Sequence, residues 1–149
     1  MINIQKYSLR IVKEKGGRYD LDRRITSPQS AKNVFVEVLE LDRRTEEVFA
    51  MLTLDVKNKI TGVFEVSIGT LSASLVNPRE VYKRALLQNA AAVIFGHNHP
   101  SGDISASSED IEVTKNLEKG AKLLGINVFD HIIIGSSESF ISMKEEGLM

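Results

Sequence analysis

Residues 90–103, Ala90-Ala91-Ala92-Val93-Ile94-Phe95-Gly96-His97-Asn98-His99-Pro100-Ser101-Gly102-Asp103, decide how this chain is read. The first seven form a short, continuous apolar run, which suits a central strand buried on both faces. Two of the chain's three histidines follow at once, two positions apart. In extended backbone, residues i and i+2 point to the same side, and Pro100 biases His99 toward that conformation. Both imidazoles can then converge on one point at the strand's end, where sites in open α/β sheets usually form. A pair of surface histidines in a turn is the plain alternative, because two ligands do not make a site.

Working outward from this strand, the pattern alternates between helix and strand. Ser27-Pro28 reads as a helix start, with proline at the first helical position. Ala31, Val34, Phe35, Val38, Leu39 and Leu41 then recur at helical spacing. From Glu47 the period changes, and Val48 to Leu54 reads as a strand buried on both faces. Asp55 to Lys59 supplies a polar turn into an antiparallel strand, Ile60 to Ile68. Gly69-Thr70 leads to a short extended stretch ending at Val76. Asn77-Pro78-Arg79-Glu80 predicts a second helix to about Asn89, with Asn77 as cap and Glu80 reaching back to close the box. After the histidines, a helix from Ser107 places Ile111, Thr114, Leu117, Ala121 and Leu124 inward and ends at Gly125. Val128 to Ile134 and Phe140 to Met143 complete the strands. Residues 2–12 also read as a strand, joined to the rest by a polar connection through Gly16-Gly17, so residues 1–24 precede a main domain over 25–149. The sum is an α/β fold, a mixed sheet with helices packed against it.

The chain's 149 residues, 42% of them apolar, suffice for one real core. A net charge of −1 gives no global field toward DNA or an anionic membrane. Residues 1–24 are locally basic, with seven Lys/Arg against three Asp/Glu, a bias that a solvated strand and loop accounts for. There is no cysteine. Disulfides, thiolate nucleophiles and Cys-based zinc sites are therefore excluded, zinc deaminases included, and any metal must use His and carboxylate. No apolar run approaches a membrane span, and the start Met1-Ile-Asn-Ile-Gln-Lys lacks the apolar core of a signal peptide. A soluble cytoplasmic protein is the expectation.

A third ligand is within reach at Asp110, near the start of the helix that follows the histidines. Two imidazoles and one carboxylate leave zinc an open position, the pattern of a catalytic site. Yet Ser107-Ser108-Glu109-Asp110 is also close to a capping box, in which Asp110 would only satisfy backbone donors. The residues by themselves leave both roles open. The literal string His97-Asn98-His99 is not a nuclease signature, since such nucleases spread these residues along a ββα unit.

His97-x-His99, seven residues, then Ser107-x-x-Asp110 matches the JAMM motif in residue type and spacing. With "GTLSASLVNPREVYKRAL" before it and "LLGINVFDHIIIG" after it, the chain over about residues 25–146 resembles the RadC-like branch of the JAMM/MPN metallohydrolases. The resemblance implies an α/β/α sandwich around a mixed sheet, of cytidine-deaminase-like architecture. It implies zinc held by His97, His99 and Asp110, with Ser107 helping to hold the reacting oxygen. It also implies a general base upstream, for which Glu47, in Glu47-Val48-Phe49-Ala50, fits best and Glu46 and Glu65 compete. The expected activity is hydrolysis of a peptide or isopeptide bond in a peptide or protein substrate. The alternatives are a DNA repair or recombination accessory, the role attached to the RadC name, and a catalytically silent MPN scaffold. Net charge −1 and the lack of the helix-hairpin-helix region of longer RadC proteins weigh against nucleic acid as a partner. Ile104-Ser105-Ala106-Ser107 lacks the two prolines usual in the family at this loop. His131, in an apolar strand, reads as a hydrogen-bonded structural histidine, with a place behind the metal as the alternative.

Overall fold

In the computed structural model, which describes residues 1–149, the first helix begins where Ser27-Pro28 predicts. The Ser27 hydroxyl accepts from the Ser30 amide at 3.1 Å and Pro28 opens helix α1, Pro28–Leu39. Ala31, Val34 and Phe35 form its buried face. After a 3₁₀ turn at Leu41–Arg43 comes strand β1, Val48–Leu54, buried at every position. The turn into β2, Ile60–Ile68, is shaped by Asp55, whose carboxylate accepts from the amides of Lys57 and Lys59 at 2.8 and 3.0 Å. Helix α2, Pro78–Leu87, strand β3, Ala92–Asn98, and helix α3, Ser108–Leu124, follow. Gly125, in the left-handed conformation, ends α3, and β4, Asn127–Ile134, and β5, Phe140–Ser142, complete the chain's elements.

The five strands form one mixed sheet in the order β2-β1-β3-β4-β5. β1 runs antiparallel to both β2 and β3, β3 runs parallel to β4, and β5 returns antiparallel. Alternate side chains of the central strands feed two separate cores. On one face Ala50, Leu52, Ile94, Ile132 and Ile134 pack with Phe35 and Val34 of α1. On the other, Phe49, Met51, Val93 and Phe95 pack with Val81 of α2 and Leu117 of α3. Each of these fully buried large side chains contributes about 1.5–3 kcal/mol relative to exposure. Helix, sheet and helix thus form the α/β/α sandwich that the sequence implied. No helix is long and apolar enough to cross a membrane.

Four local expectations are corrected. Residues 2–12 form no strand: Ile2, Ile4, Leu9 and Val12 are exposed, and the chain first touches the sheet through a single bridge between Arg24 and Lys59. Alternating apolar residues make a strand only where a ladder partner exists, and neither edge of the sheet takes this segment. Residues 70–76 are a turn rather than an extended stretch, closed by the amides of Leu75 and Val76 donating to the Ser72 carbonyl. Glu80 does not close a box at α2; Asn77 caps the Arg79 amide, while Glu80 pairs with Lys83 and Arg84. In α3 the buried face is Asp110, Val113, Thr114, Leu117 and Ala121, and Leu124 is exposed. Leu124 lies on the same side of the helix as Leu117 but stands in the last turn, past the cover of the sheet, and Ile111 lies off that face and is half-buried.

Candidate metal centre

Strand β3 carries His97 into the buried layer beneath α3. It pairs with Phe49 on β1 and Ile133 on β4, and its side chain is fully enclosed. His99 lies just past the strand's end, where its amide still donates to the Ile134 carbonyl at 2.9 Å. Its Nδ1 is 2.6 Å from the Asp103 carbonyl, which can only accept, so Nδ1 carries a proton and in the neutral ring the lone pair lies at Nε2. Asp110 sits in the first turn of α3, buried, and faces both imidazoles. The Nε2 atoms of His97 and His99 are 2.9 Å apart, and the Asp110 oxygens lie 3.2 Å from the first and 3.3 Å from the second.

This triangle fits a metal. Ligand atoms about 2.0–2.1 Å from a zinc ion at tetrahedral angles stand about 3.3 Å from each other. The donor set, two imidazoles and one carboxylate with no thiolate, also suits zinc. One ligand atom from each of His97, His99 and Asp110 lies within 4.8 Å of the others, and the group could hold a metal ion.

The alternatives left open for Asp110 turn out to be compatible. Its Oδ2 accepts from the Ser107 amide at 2.8 Å while Ser107 Oγ accepts from the Asp110 amide at 3.1 Å, a complete capping box. The same carboxylate still presents an oxygen to each imidazole. Burial pushes its pKa up, but the imidazoles of His97 and His99 beside it outweigh that and hold it well below the usual carboxylate range. His99 is raised, chiefly by its hydrogen bond to Asp110 and against the pull of burial, with the charge of Glu47 contributing. Burial holds His131 far below the ordinary imidazole range.

His131 is a hydrogen-bonded core histidine, as expected, and it also touches the centre. Its Nε2 is 2.7 Å from Nδ1 of His97, and its Nδ1 is 2.6 Å from the hydroxyl of Thr114 on α3. Thr114 and Asn98 are two residues whose roles the sequence reading did not assign. Asn98 faces away from the imidazoles; its Oδ1 accepts from the Val48 amide at 2.7 Å and its Nδ2 donates to the carbonyls of Glu46 and Arg44 at 2.9 and 3.3 Å. A single buried amide thus pins the segment bearing Glu47 to the strand bearing the histidines. A polar residue between two same-side histidines must point to the opposite face, and that was the available signal.

A cavity of about 530 Å³ opens over the triangle, lined by Glu47, Leu71, His99, Ser107 and Asp110 among others. Of the three candidate glutamates only Glu47 lines it. Glu47 Oε2 accepts from the Leu71 amide at 2.9 Å, and its other oxygen has no protein partner. Glu65 is tied to Arg44 at 2.6 Å on the edge strand β2, and Glu46 is exposed. Ser107 spends a lone pair of its hydroxyl on the cap, which leaves the hydroxyl proton available to the cavity.

Fold and site together define a JAB-type α/β domain with a possible metal-binding triad. The model of the RadC-like JAB domain matches residues 25–148, and the chain belongs to that family. It is 50% identical over 128 residues to a UPF0758 protein of Methanosarcina acetivorans, covering 85% of this chain and 54% of that protein. A UPF0758 protein of Desulfitobacterium hafniense is 46% identical over 126 residues, 84% of this chain and 54% of the relative. One from Clostridium acetobutylicum is 44% identical over 126 residues, with 85% and 54% covered. The chain spans about half the length of the curated relatives it matches.

Proposed function

We propose that this chain is a zinc-dependent hydrolase that cleaves a peptide or isopeptide bond. The observation that carries the reading is the convergence of His97, His99 and Asp110 beneath a cavity whose wall also holds the half-buried Glu47. His97, His99 and Asp110 would hold the ion, which when bound supplies Lewis-acid polarisation of a carbonyl and a more acidic water. Glu47 takes a proton from the attacking water at the oxygen not used by Leu71 and passes it to the leaving amine. The Leu71 amide, by holding the other oxygen, fixes the carboxylate's direction. The Ser107 hydroxyl donates to the oxygen on which charge develops, an oriented donor of the kind that stabilises such oxygens. A base, a hydroxyl donor and a metal triad are the groups that acyl transfer from a peptide or isopeptide bond to water requires.

The test is Glu47→Gln, assayed on a panel of fluorogenic peptides and ubiquitin-type isopeptide conjugates. The variant should keep the wild-type zinc content and lose about 10²–10⁴-fold in rate, the usual cost of a general base. Wild-type activity in Glu47→Gln would overturn the role of Glu47, and a wild-type protein that takes up no zinc would overturn the reading as a whole.

A further inference from the structure

Behind the candidate ligands runs a circuit of three hydrogen bonds, from His97 through His131 and Thr114 to the backbone of Asp110, that no step of the proposed hydrolysis uses. From His97 Nδ1 it passes to His131 Nε2 at 2.7 Å, and from His131 Nδ1 to the Thr114 hydroxyl at 2.6 Å. The hydroxyl lies 2.7 Å from the Asp110 carbonyl, one turn back on α3, and the carboxylate of the same residue stands 3.2 Å from His97 Nε2. Every member is buried, and the rings of Phe49 and Phe95 stand nearly perpendicular to the His131 ring, at 5.5 and 6.1 Å between centroids.

The proton positions in this circuit follow from one carbonyl. The Asp110 carbonyl has no proton, so an oxygen 2.7 Å away must bring its own, and the Thr114 hydroxyl has only one. That proton being spent, the hydroxyl can meet His131 Nδ1 only as an acceptor, and Nδ1 of His131 must carry the hydrogen. Neutral His131 then has a bare Nε2, which accepts from His97, so Nδ1 of His97 is the protonated nitrogen. The lone pair of His97 is left at Nε2, the atom that faces His99 and Asp110.

We propose that Thr114 and His131 are positioning residues that hold His97 in the tautomer whose Nε2 lone pair points into the candidate metal centre. Because the circuit starts on the backbone of Asp110, the same helical turn that supplies one ligand sets the proton on another. A His97 free to protonate at Nε2 would aim an N–H at the ion, and metal affinity would fall by the fraction of molecules in that form. The inference rests on the reading of His97 as a ligand, so its test separates the two.

The first measurement needs no metal. Two-bond ¹H–¹⁵N correlation of the imidazole rings in chelator-treated wild-type protein should show His131 protonated at Nδ1 with Nε2 bare, and His97 protonated at Nδ1. A His131 protonated at Nε2 overturns the proposal whether or not the protein binds zinc. The second is zinc and cobalt affinity by chelator competition in Thr114→Val and Thr114→Ser. Valine keeps the volume and removes the hydroxyl, and should weaken both metals by about 10–100-fold, the usual effect of a lost partner behind a ligand. Serine should restore affinity to within about threefold, which a merely space-filling role for Thr114 would not require. Equal affinity in Thr114→Val overturns the proposal. Should the wild type take up neither ion, the hydrolase reading fails while the imidazole spectra still decide this one.

Discussion

Asp110→Asn separates the two jobs that one carboxylate performs here. At the third position of the capping box, the amide oxygen of asparagine can still accept from the Ser107 amide, so that bond survives. What the fold loses is a negative charge at the first turn of α3, about 0.3–1 kcal/mol, and its attraction to the imidazoles of His97 and His99. Those contacts are long, at 3.2 and 3.3 Å, so their worth lies at or below the lower end of the range for hydrogen bonds to charged groups, about 1.5 kcal/mol. A total of about 1–2 kcal/mol lowers the melting temperature by roughly 2–8 °C in a chain of this size. The metal should respond far more. A buried anionic ligand becomes a neutral amide, leaving two imidazoles to face a dication, and zinc affinity should fall by more than the roughly 10–100-fold typical of a partner behind the ligands. Thermal melts in chelator and zinc competition titrations read the two effects separately. If Asp110→Asn binds zinc within about threefold of wild type, Asp110 is a cap and nothing more. If it melts more than about 12 °C lower without metal, the equivalence of the caps was misjudged.

Two further outcomes follow from the same geometry. His99 is raised by Asp110 and Asp110 is lowered by the imidazoles. In metal-free protein their pairing therefore stabilises most between about pH 4 and pH 6.5, is lost as pH rises through the raised pKa of His99, and is lost in strong acid as Asp110 protonates. Melts in chelator should show stability falling above neutrality, whereas zinc affinity should rise about tenfold per pH unit for each proton displaced; flat profiles in both would contradict the pairing. Asn98→Ala orphans the buried Val48 amide, at about 1–3 kcal/mol, and frees the Glu47 segment. Zinc content should stay at the wild-type level while melting temperature and any hydrolysis fall, and unchanged melting would show that the amide pins nothing.

Much of this arrangement was legible in the sequence because it is written locally. Proline after serine or asparagine marked the starts of α1 and α2, Gly125 marked the end of α3, and the uninterrupted apolar runs at β1 and β3 marked strands covered on both faces. His97, His99 and Asp110 were legible through spacing and family resemblance, and the structure brings the three together. Two of the misreadings, the turn at 70–76 and the pairing of Glu80, are local, and the other two depend on segments distant in sequence. Ile2 to Val12 alternates like a strand, but pairing is a property of two segments, and no local pattern reveals a missing neighbour. In α3 the expected Thr114, Leu117 and Ala121 are buried, whereas Leu124, on the same side one turn further, is exposed, because helical period fixes the face and not how far the sheet extends beneath it. The links from Asn98 to residue 48 and from Thr114 to His131 cross 50 and 17 positions, so nothing near either residue announces them.

The opposite facing of Asn98 and its two neighbours has a consequence for how the protein can go wrong. A slip of β3 by one position against β1 would still leave a hydrogen-bonded sheet, but it would exchange the two faces. The imidazoles would be driven toward the Phe35 side, and the amide that grips Glu46 and Val48 would be turned beneath α3. Such a molecule could pass a test of secondary structure and still hold no ligand triangle. If zinc occupies the centre as proposed, a molecule slipped in this way would fail to take it up, and zinc uptake would then report strand alignment that a test of secondary structure misses.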